Sequence, residues 1–329
     1  MRMTQSKSEY SKVDEYGFER PDNFNYDLYD KYMSQYMRTL TRRAQRWNSL
    51  KGDIYKKSST LKRFVRKGIP SDYRTSAWMH ISGAEELKKS SSFTYLELKN
   101  GISNQHIIET IKIDLPRTFP DNIYFTNHKH LPTMLFNVLG TFGHQNKEVG
   151  YCQGLNYIAG LLLLATKDEE ASFWLLKVLV ENILPQYYIV SMTGLLTDLD
   201  VLDDLIRKYE PSLHRHIHNI GMPWAMGTTK WFICLFSEVL PTETVFRIWD
   251  CLFYEGSKII FRVAITLIKL HKQEILQTSE LGELIACFRN MRNHETVINC
   301  HQFMSDIFKM SGNLSNSQIE KLRKTHKKA

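Results

Sequence analysis

DEEASFWLLKVLVENILP, Asp168 to Pro185, is the stretch whose reading decides the fold. Asp168, Glu169 and Glu170 put negative charge where the unpaired amides of a helix start would sit, and Pro185 cannot continue a helix, so it closes the run. Between them the apolar residues, through Trp174 and Val180 to Leu184, cover most faces rather than one stripe. The segment therefore predicts a central helix, buried all round.

The same grammar extends in both directions. From Asn25 to Trp47 the residues Tyr29, Tyr32, Met33, Tyr36, Met37 and Leu40 recur at three- and four-residue steps, which predicts one buried helix face. Ser58-Ser59-Thr60 reads as a linker or a cap. Lys230 to Leu240 predicts a helix closed by Pro241, Thr242 a cap for the next, which ends near Gly256, and Ser257 a cap for a third carrying Ile259, Ile260, Val263, Ala264, Leu267 and Ile268 inward. Ser315 with Gln318 reads as a capping box, followed by Lys321, Arg323, Lys324, Lys327 and Lys328 fraying into solvent. Almost no alternating stretch is long enough for a strand, so the expected class is all-α. Residues 1 to about 20 show no hydrophobic period and predict a mobile tail.

With 329 residues, 43% hydrophobic and 24% charged, the chain is an ordinary globular one, too long for a single compact core; two lobes are expected. Its longest apolar run, Tyr157 to Ala165, is far short of the ~20 residues that cross a bilayer. The polar start leads into no apolar segment, so a cytoplasmic setting is expected. Cys152, Cys234, Cys251, Cys287 and Cys300 form no C-x-x-C pair, which argues against a disulfide framework or a zinc ribbon. Between Arg38 and Lys67 eleven basic residues face Asp53 alone, more than the whole net charge of +8. Either this is a solvated helix and linker, or it is a surface for anionic membrane or an acidic partner. Nucleic acid is not expected, because no nucleic-acid-binding signature accompanies the charge.

Two loops could carry chemistry. In Ile111-Lys112-Ile113-Asp114-Leu115-Pro116-Arg117, Pro116 ends a helix near Asp114 and leaves Arg117 on the exit loop, within reach of Asp114. In Gly150-Tyr151-Cys152-Gln153-Gly154, two glycines feed an apolar helix and put Gln153 at its start. Alone, Arg117 also reads as a surface ion pair and Gln153 as a helix cap. His214, His216 and His218 look like a metal set, but on a helix the middle ring points away from the other two, and no metal is expected. Cys152 has no positioned base and reads as packing. Arg247 and Asp250, with Trp231 and Trp249, read as a pairing of lobes.

Taken together, the two loops resemble the TBC domain of Rab GTPase-activating proteins. The family's I-x-x-D-x-x-R motif is met by Ile111, Asp114 and Arg117, and its Y-x-Q motif by Tyr151 and Gln153. Arg66-Lys67-Gly68-Ile69-Pro70 with Arg74 and Trp78 looks like the opening motif; Trp231 to Pro241, Arg247-Ile248-Trp249-Asp250 and Glu255-Gly256 look like the closing one. Tyr16 to Pro21, Arg42-Arg43-Ala44 with Trp47, and Gly256 to Arg262 carry the likeness to one branch of the family over nearly the whole chain.

The resemblance implies an all-α, two-lobed fold: a tail, helix and basic linker over 1–65, the catalytic domain over 66–258, and a helical continuation with a basic tail over 259–329. It implies Arg117 and Gln153 as catalytic residues supplied in trans to a Rab in its GTP form, with Asp114 and Tyr151 orienting them. GTP and Mg²⁺ belong to the GTPase, so no cofactor of the chain's own is expected, and the role implied is that of a GTPase activator supplying catalytic residues in trans, which leaves open whether the chain is an enzyme in its own right. Two rivals stand beside this reading: a catalytically silent Rab-binding module, against which the intact Arg117 and Gln153 argue, and a membrane-associated scaffold using 38–67.

Overall fold

The computed structural model describes residues 12–20, 22, 24–50, 55–127, 130–291 and 295–326. Residues 1–11 of the expected tail, Lys51 and Asp53 of the basic run, and Lys327 and Lys328 lie outside the described residues.

Helix α1 (Tyr26–Asn48) starts where the Asn25 side chain accepts from the Leu28 amide at 2.9 Å, and buries Tyr36, Arg43 and Trp47 along one face. Ser58 caps α2 (Ser59–Lys67) through the Leu61 amide at 3.0 Å. Then follow α3 (Ser71–Ser82), α4 (Ala84–Ser90), α5 (Tyr95–Asn100), α6 (Gln105–Asp114), α7 (Ile123–Thr126), α8 (His130–Gln145), α9 (Leu155–Thr166) and α10 (Glu169–Val178). The α10 segment is the buried helix the sequence predicts. Asp168 caps it, its residues from Ala171 to Leu176 are all buried, and one π turn, Leu179–Ile183, carries it to Pro185.

A second group comprises α11 (Thr193–Tyr209), α12 (Pro211–Ile220), α13 (Trp224–Ile233), α14 (Thr242–Glu255), α15 (Lys258–Leu270), α16 (Lys272–Gln277), α17 (Leu281–Asn290), α18 (Glu295–Ile298), α19 (Cys300–Lys309) and α20 (Asn316–His326). The fold is all-α and two-lobed. Helices α3 to α10 pack around α9 and α10, and α11 to α20 around α11, α14 and α15; α14 joins the lobes by packing on α2 and α3. At that joint the buried Asp250 carboxylate accepts from Trp78 Nε1 at 2.8 Å and the Ile69 amide at 2.9 Å, and pairs with Arg74 at 3.3 Å. Arg247 and Asp250 are thus structural, as is Trp249, whose indole donates to Leu235 O at 3.1 Å.

Four local expectations differ from the structure. The helix expected over Lys230 to Leu240 stops at Ile233, because Leu235 and Phe236 turn into the left-handed region (φ 48° and 65°) to bury their side chains. Thr242 caps nothing: Pro241 holds the cap position and Thr242 begins α14. Ser257 keeps helical geometry and its hydroxyl accepts from Arg323 Nη2 at 2.8 Å instead of capping. Arg323 does not fray; its fork grips the buried Asp198 carboxylate at 2.6 and 2.7 Å and ties α20 to α11.

Residues 12–20 are likewise no loose tail. Tyr16 donates to Glu243 at 2.5 Å, the Gly17 carbonyl accepts from the Ile123 amide at 2.9 Å, Glu19 N reaches Asp121 O at 2.8 Å, and the Phe18 ring meets Phe119 edge-on at 5.1 Å. This non-helical strap carries no 3.6-residue period, which is why periodicity does not reveal it.

Candidate functional site

Helix α6 ends as expected at Asp114, and Leu115–Arg117 form one 3₁₀ turn that swings Arg117 outward, its side chain half exposed. Asp114 itself is buried. One of its carboxylate oxygens pairs with Arg117 Nη2, and the other accepts from the Tyr151 hydroxyl at 2.5 Å. A single buried carboxylate therefore ties the arginine loop to the glutamine loop. Burial, and then the Asp114 carboxylate, push the Tyr151 hydroxyl far above its ordinary pKa, so it remains a donor at any working pH.

A second tie runs below the first. Thr118 donates to Asp114 O at 2.7 Å and accepts from Asn156 Nδ2 at 2.8 Å, while Asn156 Oδ1 accepts from the Gly154 amide at 3.0 Å. Thr118 and Asn156 are wholly buried, so these bonds hold both loops without competition from water. Sequence reasoning missed both residues. The only signal was that each lies within three residues of a motif residue. Phe119, at φ 52°, anchors the arginine loop from the other side against Phe18, Phe125 and Tyr157.

Gln153 is exposed and its amide caps nothing; the Gly154 amide it might have served is taken by Asn156. The loop before it is fixed further back, where Asn146 accepts from the Val149 amide at 3.0 Å and donates to Glu181 at 2.9 Å. Cys152 is half-buried, and burial raises its thiol, which leaves it a poor nucleophile. Of the three histidines, His214 and His218 stack on one face, His214 pairing with Asp203 at 2.7 Å, while His216 turns to Thr278.

Residues 71–276 match the Rab-GTPase-TBC domain. The chain belongs to that family. Among relatives, Growth hormone-regulated TBC protein 1 of Homo sapiens is 46% identical over 322 residues, covering 97% of this chain and 96% of the relative. Growth hormone-regulated TBC protein 1-A of Danio rerio is also 46% identical, covering 96% and 90%. Among solved structures, the Chlamydomonas flagellar RabGAP TBC domain superposes with a TM-score of 0.77 at 33% identity, covering 92% of this chain and 100% of that one. The TBC family implies Rab GTPases as partners and GTPase activation as the role. Among the described residues, no helix is long and apolar enough to cross a membrane.

Proposed function

We propose that this TBC domain activates a Rab GTPase in its GTP form by supplying Arg117 and Gln153 in trans. The observation that carries the reading is the Asp114 carboxylate, which holds the arginine loop and, through Tyr151, the glutamine loop on one fixed frame while both end groups stay exposed. Hydrolysis spreads negative charge over the transferring phosphoryl group and needs an in-line water. The Arg117 guanidinium offers a planar fork of donors to that charge. The Gln153 amide accepts from the water with its oxygen and donates to a phosphate oxygen or backbone carbonyl with its nitrogen, standing in for the GTPase's own glutamine. Water attacks the γ-phosphorus and GDP leaves; nothing becomes covalently bound to the chain. GTP and Mg²⁺ come with the GTPase, and the chain contributes no cofactor.

An arginine supplied this way is worth on the order of 10³ to 10⁵ in rate. The test is single-turnover phosphate release from a panel of GTP-loaded Rabs at saturating protein, with binding measured separately. Arg117→Lys keeps the charge but loses the fork, so turnover collapses while docking survives. If Arg117→Lys matches the wild type on a Rab that the wild type activates, the arginine assignment is wrong.

A second reading concerns location. Arg42, Arg46, Arg63 and Lys67 are exposed on the α1 and α2 face, which supports peripheral attachment to anionic membrane through 38–67.

A further inference from the structure

Between the π turn that follows α10 and the start of α11, residues 185–192 form a loop tied down on every side but one. Tyr187 and Tyr188 are buried beneath it. The Tyr187 hydroxyl donates to Asp198 of α11, and the Tyr188 hydroxyl donates at 3.0 Å to the carbonyl of Ile233, the last residue of α13. The loop also closes on itself: the Gly194 amide donates to Gln186 O at 3.1 Å and the Met192 amide to Ile189 O at 2.9 Å. A Cβ at Gly194 would stand 2.4 Å from Pro185 O, so this closure needs glycine. Near its two ends Gln186 and Met192 take φ of 63° and 47°, left-handed conformations that side chains rarely adopt.

Val190, at the tip, is 98% exposed. A single apolar side chain in water is ordinary. One held out between two strained residues, above two buried tyrosine anchors, is not, because such strain persists only where the surrounding structure imposes it, and it gathers at functional sites. The place of the loop is equally specific. The Ile233 carbonyl that accepts from Tyr188 would lie 3.4 Å from a Cβ on Gly154, the residue after Gln153. Val190 is two residues beyond Tyr188, at most about 7 Å of chain, so it stands on the rim beside the glutamine loop. For Gln153 to act as read above, its amide must come within hydrogen-bond reach of the attacking water. What then meets Val190 is the GTPase surface around the nucleotide, whose switch segments are ordered by the γ-phosphate.

We propose that Val190 is a docking anchor, which enters an apolar depression on the switch surface of the GTP-loaded Rab and makes the chain prefer that nucleotide state. The side chain leaves water only when that depression exists, and the depression exists only while the γ-phosphate orders the switch segments. Because the loop is already fixed, docking orders nothing further on this side of the contact. The inference rests on the GTPase reading and adds to it a residue that binds without taking part in the chemistry.

The test uses the full chain and a panel of Rabs, each loaded with GDP or with a slowly hydrolysed GTP analogue, with binding read by calorimetry. Single-turnover hydrolysis of GTP against chain concentration gives the half-saturating concentration and the limiting rate separately. Val190→Ser should weaken binding of the analogue-loaded Rab about tenfold or more, and raise the half-saturating concentration in step, while the limiting rate and Tm hold. Binding of the GDP-loaded Rab should change by less than about twofold, and Val190→Ile should behave as the wild type. Arg117→Lys should do the reverse, losing the limiting rate at unchanged binding. If Val190→Ser matches the wild type on a Rab that the wild type binds, or loses affinity equally for both nucleotide states, the anchor is overturned and the catalytic reading stands. If the wild type binds a Rab without speeding hydrolysis, the catalytic reading falls and the anchor is judged on binding alone; if it binds none, both fall. A loss confined to association with phosphatidylserine-containing vesicles, with Rab binding intact, would assign Val190 to a membrane and overturn the proposal.

Discussion

Asp114 and Tyr151, thirty-seven positions apart in the chain, share a 2.5 Å hydrogen bond in which the phenol donates to the carboxylate oxygen that Arg117 does not occupy. Asp114→Asn leaves one acceptor oxygen for two donors, so either Arg117 or Tyr151 loses its hold. Hydrogen bonds to charged groups are worth about 1.5–3 kcal/mol, which sets a fall of roughly tenfold to a hundredfold in single-turnover hydrolysis. Tyr151→Phe should slow it less, and the double variant should fall short of the product because both act through one carboxylate. Rab binding measured alongside should stay within about twofold of wild type, since docking is spread over many residues.

Asn156 answers for both loops at once. Asn156→Ala leaves the buried Gly154 amide without its acceptor and removes the donor to the Thr118 hydroxyl, which keeps its bond to Asp114 O, and should lower stability by about 1–3 kcal/mol while also reducing hydrolysis. The urea midpoint reads the first effect. An unchanged midpoint would show that water enters and replaces the bridge.

Gly17 fixes the N-terminal strap. It sits at φ +91°, and a Cβ would lie 2.4 Å from the Tyr124 ring, so Gly17→Ala should cost about 1–2 kcal/mol. Because the strap braces the loop that follows Arg117, hydrolysis should fall further than Rab binding does. Thermal unfolding beside single-turnover rates checks both.

The Glu255 carboxyl gives an acid dependence. Burial alone would raise it, but the Arg66 fork at 2.6 and 2.8 Å and Lys258 at 3.0 Å pull it down to about 2 from 4.5. The folded value lies below the unfolded one, so the stabilisation is complete above about pH 4.5 and is lost as pH falls toward about 2. After allowance for screening at the part-exposed Arg66, it is on the order of 2 kcal/mol. Glu255→Gln should flatten the acid limb of a stability–pH curve; a limb of unaltered slope would assign the effect elsewhere.

The helical class and the ends of α1, α6 and α10 were legible because each rests on periodicity or on a proline, signals local to the chain. Arg117 and Gln153 stood out through their motifs, and their loops lie where the prolines and glycines predict. Thr118 and Asn156 were not legible, because a buried polar bridge is a relation between segments 38 positions apart and leaves no pattern in either. The same holds for Leu235 and Phe236, whose burial overrides helix continuation, and for Tyr16 and Arg323, whose carboxylate partners lie far off in sequence.

The strap and α20 redraw the boundary of the folding unit. Tyr16 and Arg323 both lie outside residues 71–276, yet one closes over Glu243 and the other neutralises the fully buried Asp198. A fragment trimmed to the family match would carry an unmatched interior carboxylate and a bared Phe119, so it should unfold readily and adhere to its own copies. The smallest piece expected to unfold as one cooperative body therefore reaches from Tyr16 to Arg323.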